Sequence, residues 1–165
     1  MQYSRIMQYM LWLSVPYIGD ETEIWKRFEK KLLSIPGGKG PGRVGVLDPR
    51  FPEVRQYLID LYKDAVREWD LDGLKLDFID SFCLGNDEGK PTHLRDFESL
   101  EDGVEALMAD VKEDLVSIYP EVMVEFRQSY IGPHMRRFGN MFRVGDCAGN
   151  YLKNRASIID LRMLM

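Results

Sequence analysis

Asp72-Gly-Leu-Lys-Leu-Asp-Phe-Ile-Asp80 is the stretch on which the fold turns. Asp72-Gly73 is turn chemistry, and Leu74 to Ile79 is a short, mostly apolar run of the kind that parallel sheets cover on both faces. Upstream, Val54, Leu58, Leu61, Tyr62, Ala65 and Trp69 recur at helical spacing, and Pro52 stands where a first helical turn accepts it. Downstream, Gly85, Asn86, Asp87, Gly89 and Pro91 mark residues 84–95 as a polar loop, long enough to suggest binding rather than mere connection. A second helical pattern runs from Ser99 to Tyr119, with Leu100, Val104, Leu107, Met108, Val111, Leu115 and Ile118 on one side and Pro120 at its end.

Further out the alternation continues. Tyr9 to Ile18 reads as a buried strand, Glu23 to Leu33 as an amphipathic helix, and Val44 to Asp48 as a short strand. The Gly37-Gly-Lys-Gly-Pro-Gly42 run lacks the Gly-Lys-Ser/Thr ending of a phosphate loop and is read as a plain loop. Val122 to Ser129 and Met141 to Gly145 are two further strands, and a last helical pattern occupies Arg155 to Met165. This order is that of a parallel α/β protein. Five strands in 165 residues are too few for a closed eight-stranded barrel of about 250 residues. The chain is therefore either a complete open sheet or a partial TIM (β/α)8 barrel.

Composition narrows the function classes. With 45% apolar and 30% charged residues the chain can bury a core as one unit. Twenty-two Lys and Arg against 27 Asp and Glu leave a net charge of −5, the wrong sign for gripping nucleic acid or an anionic membrane. Cys83 and Cys147 lie far apart without zinc or redox spacing, and His93 and His134 sit in polar loops, so no metal or other cofactor is expected. There is no apolar run of membrane-span length and no secretory signal, which makes a cytoplasmic location the default.

In a parallel sheet, binding groups gather at the carboxyl ends of the strands. Asp48, Asp77, Asp80, Glu125, Arg127 and Asp146 all fall at or near such ends. Asp48 can simply cap the following helix, and Asp80 can do likewise for its loop. Asp77 sits between Leu76 and Phe78, where an anion needs a partner, and Lys75 shares its strand parity. That pair is either a structural ion pair or part of a reactive site. Two carboxylates on nearby strand ends, Asp77 beside a cation and Asp146 behind a glycine, match glycoside hydrolysis: a nucleophile of low pKa and a proton donor of raised pKa.

With those residues in view, the chain resembles the catalytic barrel of α-galactosidase-type glycoside hydrolases, the melibiase-like family 36 and its clan. Leu11 to Gly19, Val46-Leu-Asp-Pro49 with Pro52 to Leu58, Asp72 to Asp80, and Phe142-Arg-Val-Gly-Asp146 carry the resemblance. It implies strands two to six of the barrel, a single catalytic unit over residues 1–165 truncated at both ends, with Asp77 as nucleophile, Asp146 as acid/base, and Lys75 and Arg143 beside them. Leu76 stands where the family commonly has Trp, Ile79 where it has Asn, Phe126-Arg-Gln-Ser129 where it has Cys or Ser with glycines, and Cys147 where a second Asp often follows.

The expectation is retaining hydrolysis of an α-galactoside-like oligosaccharide or glycoside, in which burial and nearby negative charge keep Asp146 protonated. Trp12 either stacks on a sugar or packs in the core, and Asp48, Glu125 and Arg127 are candidates for its hydroxyls. Arg127 can instead pair with Glu125. Cys147 is expected to pack near the pocket. Transglycosylation of the raffinose-synthase type and a non-catalytic carbohydrate-binding fragment are the alternatives, and a homo-oligomer is left open.

Overall fold

Period-two alternation in Leu74-Lys-Leu-Asp77 and Val124-Glu-Phe-Arg127 sets the architecture. The computed structural model describes residues 7–36, 42–127, 130–146 and 149–164. Within it, strands β1 (Met10–Ser14), β5 (Gly73–Asp77), β6 (Met123–Arg127) and β7 (Met141–Arg143) form a sheet in the order β1-β5-β6-β7. All three pairings are parallel. Register aligns Trp12 with Lys75, Lys75 with Glu125 and Arg127 with Arg143, so one face of the sheet carries the polar side chains. The other face carries Leu74, Leu76, Val124 and Phe126, all buried. The polar face is also largely screened at β5, where Asp77 is buried and Lys75 half-buried, so the charged row depends on internal partners.

Helices α2 (Pro52–Glu68) and α3 (Leu100–Ile118) pack on each other and share the apolar core with the sheet. Val54, Leu58, Ile59, Tyr62 and Val66 face inward from α2, and Leu107, Met108, Val111 and Leu115 from α3. Each start has a local cause. Pro52 occupies the first turn of α2, and Ser99 caps α3 by accepting the amide of Asp102.

The strand expected over Tyr9 to Ile18 is divided at Pro16, which has no N–H for a ladder. Val15 N donates to Asp77 O over 3.1 Å, the carbonyl of Pro16 then accepts from Leu47 N over 2.7 Å, and the chain enters a second sheet. That sheet is antiparallel, ordered β2-β4-β3, from β2 (Tyr17–Gly19), β3 (Leu32–Ser34) and β4 (Val44–Leu47). Two expectations change with it. Helix α1 spans only Glu23–Phe28, because Leu32 and Leu33 are both buried and the strand they belong to pairs with β4 through Leu32 and Ser34, an outcome that helical periodicity over short range does not encode. Val44 to Leu47 is a strand, but not one of the parallel set.

The parallel sheet thus has four strands rather than five, and the described residues form no closed barrel. The last helix, α4 (Tyr151–Leu164), begins earlier than its apolar pattern and leaves Tyr151, Leu152 and Met163 exposed. Among the described residues no helix is long and apolar enough to cross a membrane.

Candidate active site

Asp77 ends β5 and is 4% exposed. Its Oδ2 accepts from the Trp12 indole Nε1 at 2.9 Å and lies 3.5 Å from Lys75 Nζ. Its Oδ1 accepts from the amide of Phe78 at 2.8 Å and from Arg127 Nε. Burial alone pushes this carboxyl up, but the hydrogen bonds from Trp12, Arg127 and Phe78, with the Arg127 charge, bring it down to about 2. Asp77 is therefore an anion throughout the neutral range.

Phe78 takes φ 62°, a left-handed conformation uncommon for a bulky residue. The turn aims its own amide at Asp77 and begins the single 3-10 turn Ile79–Ser81. Its ring meets Trp12 edge-on with centroids 6.0 Å apart and Tyr17 at 5.6 Å. The Arg127 guanidinium lies 5.0 Å over the same ring and its Nη2 stands 3.6 Å from Asp80 Oδ1. Tyr130 donates to the carbonyl of Leu76 at 2.6 Å, tying the connection after β6 to β5.

On the other side of β6, Glu125 Oε1 and Arg143 Nε face each other at 3.6 Å, both buried and neither hydrogen-bonded among the described residues. Arg143 Nη1 donates to Asp146 Oδ1. Asp146 lies three residues beyond the end of β7, with a side chain 72% exposed. The partial burial expected of it is absent. Asp77 and Asp146 leave the same end of the same sheet, separated only by β6, which puts their strands about 9–10 Å apart. Side chains must converge from there to reach the about 5–5.5 Å of a retaining pair.

Trp12, Lys75, Asp77, Glu125, Arg127 and Arg143 therefore share one face. Trp12 is not in the core: it is 50% exposed, held by its indole nitrogen on Asp77 and its edge contact with Phe78. Arg127 pairs with Asp77 and Asp80 rather than with Glu125. Asp48 belongs elsewhere. It follows β4 in the small sheet, is fully buried, and accepts from Arg50 Nε at 3.0 Å, Arg50 Nη2 at 2.9 Å and Arg95 Nη2 at 2.9 Å. Nor does it cap α2, whose N-cap is Phe51 with no side-chain bond. Cys147 lies outside the described residues. Among the described residues no cluster of His, Cys, Asp or Glu is placed to hold a metal ion.

Sequence reasoning missed the parts played by Phe78, Tyr130 and Asp80. A left-handed phenylalanine leaves no trace in periodicity. Asp80 was visible as the second acid of Asp77-Phe-Ile-Asp80, but only the turn at Phe78 brings it beside Arg127.

No family model matches the chain and no curated protein matches it. Solved structures do. An α-galactosidase of glycoside hydrolase family 36 from Geobacillus stearothermophilus superposes with a TM-score of 0.67 at 17% identity, over 92% of this chain and 22% of that one. The α-galactosidase from Lactobacillus brevis gives 0.66 at 20% identity, over 92% and 21%. That from Thermus thermophilus, in complex with stachyose, gives 0.58 at 20%, over 81% and 27%. The chain thus spans about a quarter of the length of these structures, and over most of its own length its fold is similar to that of the family 36 α-galactosidases that its sequence resembles.

Proposed function

We propose that this chain forms part of a retaining glycoside hydrolase acting on α-galactoside-like substrates, with Asp77 as nucleophile and Asp146 as acid/base. The observation that carries the reading is the state of Asp77: a carboxylate at the carboxyl end of a parallel strand, held ionised by Trp12, Arg127 and the Phe78 amide, with Lys75 3.5 Å away, beside a half-exposed indole face. A nucleophile must be an anion before it attacks, and this one is. Asp146, open to solvent beside Arg143, is the group that gives a proton in one half-reaction and takes one back in the other.

In the first step Asp77 attacks the anomeric carbon while Asp146 gives a proton to the departing oxygen. In the second, Asp146 takes a proton from water as that water displaces Asp77. In this reading Trp12 offers a ring face to the sugar, and Glu125 and Arg143, which lie on the same face of the sheet, bind its hydroxyls.

The test is hydrolysis of an aryl α-galactoside by the intact protein, with the product anomer followed by NMR. Retention of the α-configuration, abolished in Asp77→Asn with the fold kept, supports the reading. An inverted product, or an Asp77→Asn protein of undiminished turnover, refutes it. Repeating the assay with a sugar acceptor separates hydrolysis from transfer.

A further inference from the structure

The guanidinium of Arg127 serves two carboxylates at once: Nε donates to Asp77, and Nη2 stands 3.6 Å from Asp80. It is also fenced, with the Phe78 ring 5.0 Å from its centre and the Tyr130 ring at 5.9 Å. A planar cation held against aromatic faces keeps its plane and has freedom chiefly along the line joining the two anions. Asp80 reaches that line because the left-handed turn at Phe78 folds Ile79–Ser81 back over the end of β5.

We propose that Asp80 is a positioning residue for the reaction, holding Arg127 between two carboxylates so that the cation keeps a partner when Asp77 becomes covalently bound. The inference rests on the reading of Asp77 as nucleophile. When the electron pair of Asp77 forms the bond to the anomeric carbon, the pair of the breaking C–O bond leaves with the glycosidic oxygen, which takes the proton of Asp146. Asp77 becomes a neutral ester and Asp146 a carboxylate, so total charge is unchanged while the negative charge has moved across β6. Arg127 is then left against an ester, and a largely buried cation that loses its counterion is costly. Asp80 supplies the counterion. Before the step, the same pull keeps Arg127 from binding Asp77 so fully that its oxygen cannot attack.

Other groups around Asp77 do not substitute for Asp80. Lys75 on β5 lies on the Oδ2 side together with the Trp12 indole of β1. Tyr130 is committed to the carbonyl of Leu76, and Glu125 of β6 faces Arg143 of β7.

The experiment uses the intact protein and a fluorinated, activated α-galactosyl fluoride that traps the covalent ester, with labelling of Asp77 read by mass spectrometry. In Asp80→Asn we expect the labelling rate constant to fall about tenfold with little change in the binding constant of the probe, while the trapped ester turns over faster than in wild type. Asp80→Glu, which keeps the charge, restores both rates. Opposite changes in the two half-reactions are a signature that general damage does not produce. Asp80→Asn labelling at the wild-type rate, or a slowing of both steps together, overturns the role of Asp80. A wild-type protein that is never labelled at Asp77 refutes instead the reading of Asp77 on which the inference rests, so the two failures are told apart.

Discussion

Trp12 Nε1 donates to Asp77 Oδ2 across the β1–β5 pairing at 2.9 Å, joining a half-exposed ring to a buried carboxylate. Trp12→Phe keeps an aromatic face and removes the donor, so Asp77 loses one of the bonds that hold it near 2 and moves back toward 3.8. Because the folded value lies below the ordinary one, Asp77 contributes stability above pH 3.8 that disappears as pH falls through about 2. That contribution is about 2 kcal/mol in wild type. Trp12→Phe is expected to be less stable by about 1 kcal/mol at neutral pH and to converge with wild type toward the acid end, as measured by urea unfolding at a series of pH values.

Phe78 offers a test of backbone strain. A left-handed conformation costs an L-residue roughly 1–2 kcal/mol, and most for a β-branched side chain. Both Phe78→Gly and Phe78→Val lose the ring contacts with Trp12, Tyr17 and Arg127. Only the glycine relieves the φ of 62°. Thermal unfolding is expected to show Phe78→Gly at least as stable as Phe78→Val, reversing the order that side-chain burial alone gives.

Asp48 separates a structural anion from a sugar ligand. It accepts from two guanidinium groups inside the protein, and Arg95 also holds Asp87 of the long loop at 2.7 Å. Asp48→Asn leaves Arg50 and Arg95 short of a counterion in a buried site, with an expected loss of about 3 kcal/mol in chemical denaturation. The folded fraction should keep its KM for an aryl α-galactoside. A raised KM with unchanged stability would return Asp48 to the substrate.

What the sequence made legible follows from how local each cause is. The faces of α2 and α3 were readable because a long amphipathic period outweighs its neighbours, and Asp77 was readable because an acid inside an apolar strand demands a partner. Leu32 to Ser34 and Val44 to Leu47 were misplaced because their pairing in the antiparallel sheet is a tertiary choice. Pro16 was the one local sign that the first strand ends early. Within the site, Lys75 beside Asp77 followed from strand parity, whereas Arg127 on Asp77 depended on β6 lying next to β5, a relation between residues fifty positions apart.

Azide distinguishes the two acids by stereochemistry. If Asp77 is the nucleophile, Asp77→Gly leaves an opening at the end of β5 where azide can attack an activated α-galactoside in a single displacement, giving the β-azide. If Asp146 is the acid/base, Asp146→Ala still forms the ester with a substrate that needs no protonated leaving group, and azide then displaces Asp77 with net retention, giving the α-azide. Each variant is expected to be nearly inactive without azide and to recover with it, the products being separated by NMR. Equal anomers from both variants would remove the division of labour between the residues, and azide recovery in neither would remove the covalent route. The exposure of Asp146 favours the experiment, since its loss opens no buried cavity and leaves Arg143 free to reach solvent or Glu125.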